Sequence, residues 1–497
     1  MFISIIYLII LCLILTVVKL RQTLLDPKSG EKIPGPFPWP VLGNLRLMRR
    51  LCKKFGGQHK AFLELSKDYD SDIINLRLGS SNVIVFSEFD GVTRILHDET
   101  FDARPWNEFS KIRNMGMQKG ITMHEGPEWR EMRAWLVRSL RDLGFGREEM
   151  SDKIRDELVI ILDNLKSKGG GIVSMRPIIS PAVINVIWSV ATGKRIENEE
   201  RLQYFFDLME RRARAFDIAG GMLSVFPWIR HIAPKASGYD LLITLNEELK
   251  SFLMETINEH KKNYTPGKEV DLIDMFLAEM YNGKGPEAGF TEDQLLMILI
   301  DLFLAGSQTT TVTLDFMFFY MTLHQEAQEK VHKELDSVIS CGRLPEQTDR
   351  PLLPYTASVM AESQRLRIVT PIIGPRRALN DTIIDGYKIP KNSCILMNLY
   401  AIHTNPDDFE DPEAFKPERF MNDGVHVPHK KLIFFGGGHR RCPGETVARS
   451  AVFLLFVGIM KNYKLLPVPG SYLDAEPQSG LTLSPKPYEV QLVAHST

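Results

Sequence analysis

The stretch Phe435-Gly436-Gly437-Gly438-His439-Arg440-Arg441-Cys442-Pro443-Gly444 decides how this chain is read. Its glycines let a backbone bend tightly and lie close against a flat partner. Two arginines lead into one cysteine, and an apolar run of helical character, Val447 to Met460, follows. A cysteine near a helix start, beside cations and backbone amides, is readily held as a thiolate. On a glycine loop such a sulfur is an acyl-transfer nucleophile, a single axial metal ligand or a buried structural cysteine. The first needs a histidine and an orienting partner, for which no local signature is present.

The rest of the chain narrows the choice. Its 497 residues are 44% hydrophobic and 25% charged, which excludes a disordered or fibrous protein. A net charge of -2 gives no global basic field, so nucleic acid is not an expected partner. Cys12, Cys52, Cys341, Cys394 and Cys442 are scattered and never spaced as CxxC. Neither a disulfide framework nor a zinc cluster is expected, and any important cysteine acts alone.

At the amino terminus, Phe2 to Val18 is almost wholly apolar and is followed by Lys19 and Arg21. The run is close to the roughly 20 residues that a spanning helix needs. It lacks the basic start and small-residue cleavage site of a secretory signal. Positive charge after the run predicts a body on the cytosolic side. The following segment, with Pro34, Pro36, Pro38 and Pro40, predicts a stiff extended strut.

In the body, apolar recurrence near 3.6 predicts helices over Glu128–Arg141, Met150–Lys166, Arg201–Ala219, Leu241–Lys261 and Thr291–His324. Strand-like runs are few: Ile73–Leu78, Asn82–Phe86, Thr382–Ile384 and Cys394–Asn398. They are too few and too irregularly placed for a doubly wound parallel sheet. The expected class is mostly α with small β-sheets, in one large domain after the amino-terminal segment.

The cysteine stretch resembles the heme-binding loop of cytochromes P450 at Phe435, Gly438, Arg440, Cys442 and Gly444. Glu362 and Arg365 match that family's Glu-x-x-Arg pair, and Pro417-Glu418-Arg419-Phe420 matches its later Pro-x-Arg-Phe element. The resemblance implies a P450 fold, with a membrane anchor over 1–20, a strut over 21–45 and a heme-thiolate monooxygenase domain over 46–497. It implies heme b with Cys442 on iron, a structural charge triad of Glu362, Arg365 and Arg419, and heme propionates met by Trp129, Arg133, Arg376, Arg440 and Arg104. Ala305-Gly306-Ser307-Gln308-Thr309-Thr310 resembles the family's oxygen-activating helix, with Gly306 opening space and Thr309 hydrogen-bonding to oxygen. Gln308 stands where the pattern has an acid. An amide does not titrate, so proton delivery needs water or another group, with Asp301 as one candidate.

By family position the substrate pocket comprises Phe109, Met117, Asp301, Phe303, Ile372, Ile373 and Leu481. The anchor and strut resemble microsomal P450s of the endoplasmic reticulum, and Gly126–Trp129 and Arg138–Gly146 resemble an insect branch that includes epoxidases of juvenile-hormone precursors. The implied partners are NADPH–cytochrome P450 reductase, docking near Lys430, Lys431 and Arg441, a lipophilic small molecule, and membrane lipid touched by Phe226–Ile229. O2 and NADPH-derived electrons complete the reaction. An isomerase or dehydratase of the same fold, or a heme carrier or sensor, stands as the alternative.

Overall fold

A computed structural model of the chain describes residues 11, 12, 15, 32–169, 171–215, 222–480 and 482–495. The membrane-anchor expectation for 1–20 falls almost wholly outside the described residues, as does Leu481. The architecture is mostly helical with small sheets. The helices that build the site are α1 (Gly126–Asp142), α2 (Glu148–Ser167), α3 (Arg176–Thr192), α4 (Glu199–Ala215), α5 (Tyr239–Asn263), α6 (Leu272–Tyr281), α7 (Glu292–Leu323), α8 (Pro354–Leu366) and α9 (Glu445–Asn462).

Helix α7 is the axis of the body. Thr291 caps it by accepting from the Gln294 amide, and Glu292 and Asp293 in the first turn complement the helix dipole. Its 32 residues are apolar on almost every face, because α3, α5, α8 and α9 pack around it. Among the described residues it alone is long and apolar enough to cross a membrane. It is instead the buried core helix. Helix α3, also apolar all round and containing Pro181, shows no 3.6-residue stripe in the sequence for the same reason. The predicted helices and strands are present with ends shifted by a few residues, and Ile73–Leu78, Thr382–Ile384 and Cys394–Asn398 match residue for residue.

The largest sheet has the order β1 (Ile73–Leu78), β2 (Ser81–Phe86), β4 (Cys394–Asn398), β3 (Ile372–Arg377). The β2–β4 pair is parallel and the others antiparallel. The register of β3 on β4 shifts between Ile373 and Arg376, at Gly374-Pro375. Such a bulge re-aims the side chains beyond it. Here it leaves Ile372 and Ile373 half-buried and sends Arg376 inward to 1% exposure.

The proline segment is clasped to this sheet rather than standing free as a spacer. The Asn75 amide donates to the Pro34 carbonyl at 2.8 Å, and Asn44 Nδ2 donates to the carbonyls of Pro36 and Phe37, both at 3.1 Å. A Cβ on Gly35 would sit 2.0 Å from the Asn75 carbonyl oxygen, so only glycine permits the approach.

Candidate active site

The cysteine loop folds as a tight return before α9. The Cys442 amide donates to the Phe435 carbonyl at 3.0 Å and the Arg441 amide to Gly438 at 3.1 Å. Gly438 has φ +62, and a Cβ there would lie 1.8 Å from the Leu96 carbonyl oxygen. The loop therefore needs glycine at this position on two counts. Gly444 precedes α9, and a Cβ on it would meet only Cys442 Sγ, at 3.9 Å. Cys442 is solvent-accessible, yet it lies deep among protein atoms. Burial raises its pKa, and Glu445 adds to that rise. The backbone amides of Gly444 and Glu445 and the cation of Arg133 act against it. Burial thus outweighs the loop's amides and Arg133 in the chain itself, and a coordinating metal cation deprotonates a thiol outright.

Around the loop stands a cluster of arginines. The Arg440 guanidinium lies 3.4 Å from the ring centre of Trp129, itself 2% exposed and donating through Nε1 to the Ile121 carbonyl at 3.0 Å. Arg440 also donates to the carbonyls of Asp102 and His124. Arg376 Nη1 meets Asp102 Oδ1 at 3.1 Å, and Arg104 Nη1 donates to the Pro375 carbonyl at 2.7 Å. Arg133 reaches the Arg441 carbonyl and so ties α1 to the cysteine loop. Burial, then Arg376, depresses Arg440 to about 9. Arg104 is pushed well down by burial and then by Arg376 and Arg440. Arg104 Nε and Arg376 Nε are buried without a hydrogen-bond partner. Buried cations that repel one another and keep unused donors are a receptor for anions. The two carboxylates of a heme fit it, and an accessible cysteine that ionises on a metal fits the iron.

On α7, Ala305 is exposed in the middle of a helix that is otherwise packed. Thr309 Oγ1 donates to the Ala305 carbonyl at 2.6 Å. A Cβ on Gly306 would sit 2.6 Å from Ile187 Cδ1, so that glycine also lets α3 approach closely. One expectation for this helix changes, that of Phe303 as a pocket residue. Phe303 is 1% exposed and packs at 5.0 Å on Phe205 and 5.4 Å on Trp188, within the core. Gln308 Oε1 accepts from Arg176 Nη2 at 3.3 Å. Asp301 Oδ2 accepts from the amides of Ile121 and Thr122 at 2.7 and 2.8 Å, and so ties α7 to the segment before α1.

A cavity of about 1910 Å³ is lined among others by Phe109, Arg113, Met123, Ile372 and Ile373. It brings together three of the seven pocket residues expected from the sequence. Met117 is half-buried against the helical core instead.

Behind the cysteine loop, Glu362 and Arg365 on α8 are both 0% exposed. Arg365 meets both carboxylate oxygens of Glu362, at 2.7 and 2.9 Å, and Arg419 Nε donates to Glu362 Oε1 at 3.0 Å. Of the three surface cations expected to dock a partner, Lys431 pairs with Asp408 and Arg441 with Glu445, both at 2.7 Å. Lys430 remains exposed. Sequence reading passed over Arg176 and Asp315. The signal for Asp315 is its isolation, as the one charged residue between Leu302 and Leu323.

The cytochrome P450 family model matches residues 33–492. Similar proteins include a probable cytochrome P450 305a1 of Drosophila melanogaster, 37% identical over 98% of this chain and 99% of the relative. A farnesoate epoxidase of Bombyx mori is 33% identical over 92% of each chain. Cytochrome P450 2U1 of Mus musculus is 32% identical over 92% of this chain and 90% of its own. With the glycine-cradled cysteine, the arginine receptor and the Glu362 triad in one helical body, a match of this extent places the chain in the cytochrome P450 family.

Proposed function

We propose that this monooxygenase binds heme b through Cys442 and inserts one oxygen atom from O2 into a lipophilic small molecule, with electrons from NADPH delivered by NADPH–cytochrome P450 reductase. The accessible Cys442 thiol beside an unsatisfied arginine cluster carries the reading. When bound, a thiolate-ligated heme supplies O–O bond cleavage.

The chain's own residues do the rest. Arg133, Arg376, Arg440 and Arg104 would hold the two carboxylates, and Trp129 is the shelf on which Arg440 stacks. Phe435, Gly438 and Gly444 set the height of the sulfur. Glu362, Arg365 and Arg419 lock the segments behind it. Ala305, the smallest side chain that α7 presents at its exposed point, leaves room for O2. Thr309, with its proton on the Ala305 carbonyl, turns oxygen lone pairs outward; rotation of the hydroxyl reverses it into a donor. Gln308 uses its carbonyl on Arg176, leaving its amide N–H groups to orient water. Phe109, Ile372 and Ile373 give the cavity an apolar wall for a terpenoid hormone precursor, a steroid or a xenobiotic such as an insecticide. The name of the Bombyx mori relative, farnesoate epoxidase, supports the terpenoid among these.

The body sits on the cytosolic face of the endoplasmic reticulum, held by the apolar run Phe2 to Val18. Exposed Trp39, Val41, Trp228 and Ile232 support contact with lipid, since the turn at Gly79, bonded to Leu42, lies against Val225. Reduced protein with carbon monoxide should show the red-shifted Soret band of a thiolate-ligated heme, and Cys442→Ser should lose it. A band that survives the substitution refutes Cys442 as ligand. Reconstitution with reductase, read as product formed per NADPH, separates a monooxygenase from an isomerase or a heme carrier.

A further inference from the structure

Monooxygenation follows RH + O2 + NADPH + H⁺ → ROH + H2O + NADP⁺, so water formation at the site draws on protons from solvent. Gln308 has none to give. Asp301 is fixed by two backbone amides as a tie between segments. One other acid lies on the central part of α7. Asp315 follows Gln308 by seven residues, two turns along the same face. It is 3% exposed, and its Oδ1 has no hydrogen-bond partner.

The charged and titratable groups that act on the Asp315 carboxyl are Arg176, at the start of α3, through its charge, and Tyr488, from the carboxyl-terminal segment. Tyr488 Oη donates to the Asp315 backbone carbonyl at 2.9 Å. Arg176 Nη2 donates to Gln308 Oε1 at 3.3 Å and lies 3.5 Å from Glu210 Oε1 on α4. Arg176 Nε is buried with no partner. Arg176 and Glu210 are each about a quarter exposed, so this polar chain runs from solvent to Gln308. Two unsatisfied buried polar atoms within electrostatic reach, one donor and one acceptor, are the setting for an internal water.

We infer that Asp315 is a proton-holding residue for the oxygen site, passing its carboxyl proton through water held by Arg176 and Gln308 toward Thr309. Each proton that leaves makes a carboxylate, which Arg176 stabilises and which is reprotonated from solvent along the Arg176–Glu210 side. Arg176 stays charged throughout. Burial raises the Asp315 pKa to about 7, against the pull of Arg176 and Tyr488, so both forms are populated near neutrality. An acid that served only to balance Arg176 would stay ionised. The inference rests on the role proposed above for Thr309.

The test compares wild type, Asp315→Asn, Gln308→Glu and the double variant as full-length, heme-loaded protein. Reductase and farnesoic acid are the probes, with product and peroxide counted per NADPH from about pH 6 to 8.5. Asp315→Asn should keep its heme and its carbon monoxide band, raise peroxide per NADPH several-fold and flatten the pH profile. Gln308→Glu in that background should restore coupling. Infrared difference spectra of the resting proteins should show a carboxylic acid band that fades as pH rises through about 7 and is absent in Asp315→Asn. Wild-type coupling and pH profile in Asp315→Asn, or no such band at pH 6, would overturn the inference. If farnesoic acid is not oxidised, the substrate reading fails, while the infrared titration still decides Asp315.

Discussion

Replacing Glu362 by Ala removes one carboxylate that serves four donors: Arg365 Nε and Nη2, Arg419 Nε and the Lys416 amide. Arg365 is 0% exposed and Arg419 nearly buried, so neither guanidinium can turn to water for replacement. Their contacts to the carbonyls of His403 and Glu410 survive but do not neutralise charge. Breaking a buried pair in this way costs about 3–5 kcal/mol, against a typical total stability of about 5–15 kcal/mol. Unfolding entropy for 497 residues is about 1 kcal/mol/K, so the same loss lowers Tm by only about 3–5 °C. Heme retention should respond more than Tm, because the Glu362–Arg419 and Glu362–Lys416 contacts join α8 to the segment leading into the cysteine loop. The assay pairs differential scanning calorimetry with the carbon monoxide spectrum of reduced protein. Glu362→Gln, which keeps shape and two acceptor lone pairs but no charge, should fall between wild type and Glu362→Ala. A Glu362→Ala protein with full heme content, unchanged Tm and slower turnover alone would refute the structural role.

Thr309→Ala should leave substrate binding nearly intact, since the hydroxyl is bonded to the Ala305 carbonyl, and should divert reducing equivalents to peroxide; unchanged product per NADPH removes Thr309 from the mechanism. Gly438→Ala should abolish heme loading, because its Cβ would strike the Leu96 carbonyl, and ordinary pigment yield on expression would contradict that. His260, 3.1 Å from Asp271, has its pKa raised to about 8 by that carboxylate and by the Thr256 carbonyl, against the effect of burial. Its folded value exceeds the unfolded 6.5, so its stabilisation of about 2 kcal/mol is full below pH 6.5 and lost as pH rises through about 8. His260→Gln should flatten that part of the denaturation–pH curve, and an unchanged slope would count against it.

How much of this was legible in the sequence depended on whether a residue's job is local. The cysteine loop, the Glu362–Arg365 pair one helical turn apart and the strand runs at Ile73 and Cys394 are set by neighbours in the chain. Gly306 was read as space for oxygen because its neighbours carry that pattern. It also meets Ile187, more than a hundred residues away, and nothing near position 306 encodes that contact. Phe303 and Ala305 differ by two positions on α7, which turns one into the Trp188–Phe205 cluster and leaves the other exposed. With apolar residues all round α7, no stripe in the sequence told these faces apart. The clasped proline strut is the same case: extended backbone was predictable, but its partner at Asn75 was not.

The two groups of buried arginines differ in how their donors are used, and on the proposed reading this separates structural charge from ligand-binding charge. At Arg365, both arms that meet Glu362 and the one that meets the His403 carbonyl are satisfied inside the protein. No nitrogen of Arg365 is left without a partner, so it has little to offer a ligand. At Arg104 and Arg376 the same residue type keeps a buried Nε unpaired. Arg440 adds its charge to theirs, and Asp102 is the one carboxylate hydrogen-bonded by Arg376. Desolvating several cations around so few acids is costly for a folded chain on its own. It becomes favourable when two carboxylates arrive with a ligand. On this account the arginine cluster is destabilising without heme, and neutralising it should stabilise the heme-free chain while weakening heme retention. Arg104→Met gives the sign, since the Arg104 side chain is bonded to the Gly374 and Pro375 carbonyls and its removal strands no carboxylate: a higher Tm without heme and faster heme loss with it, whereas a structural arginine would lower both.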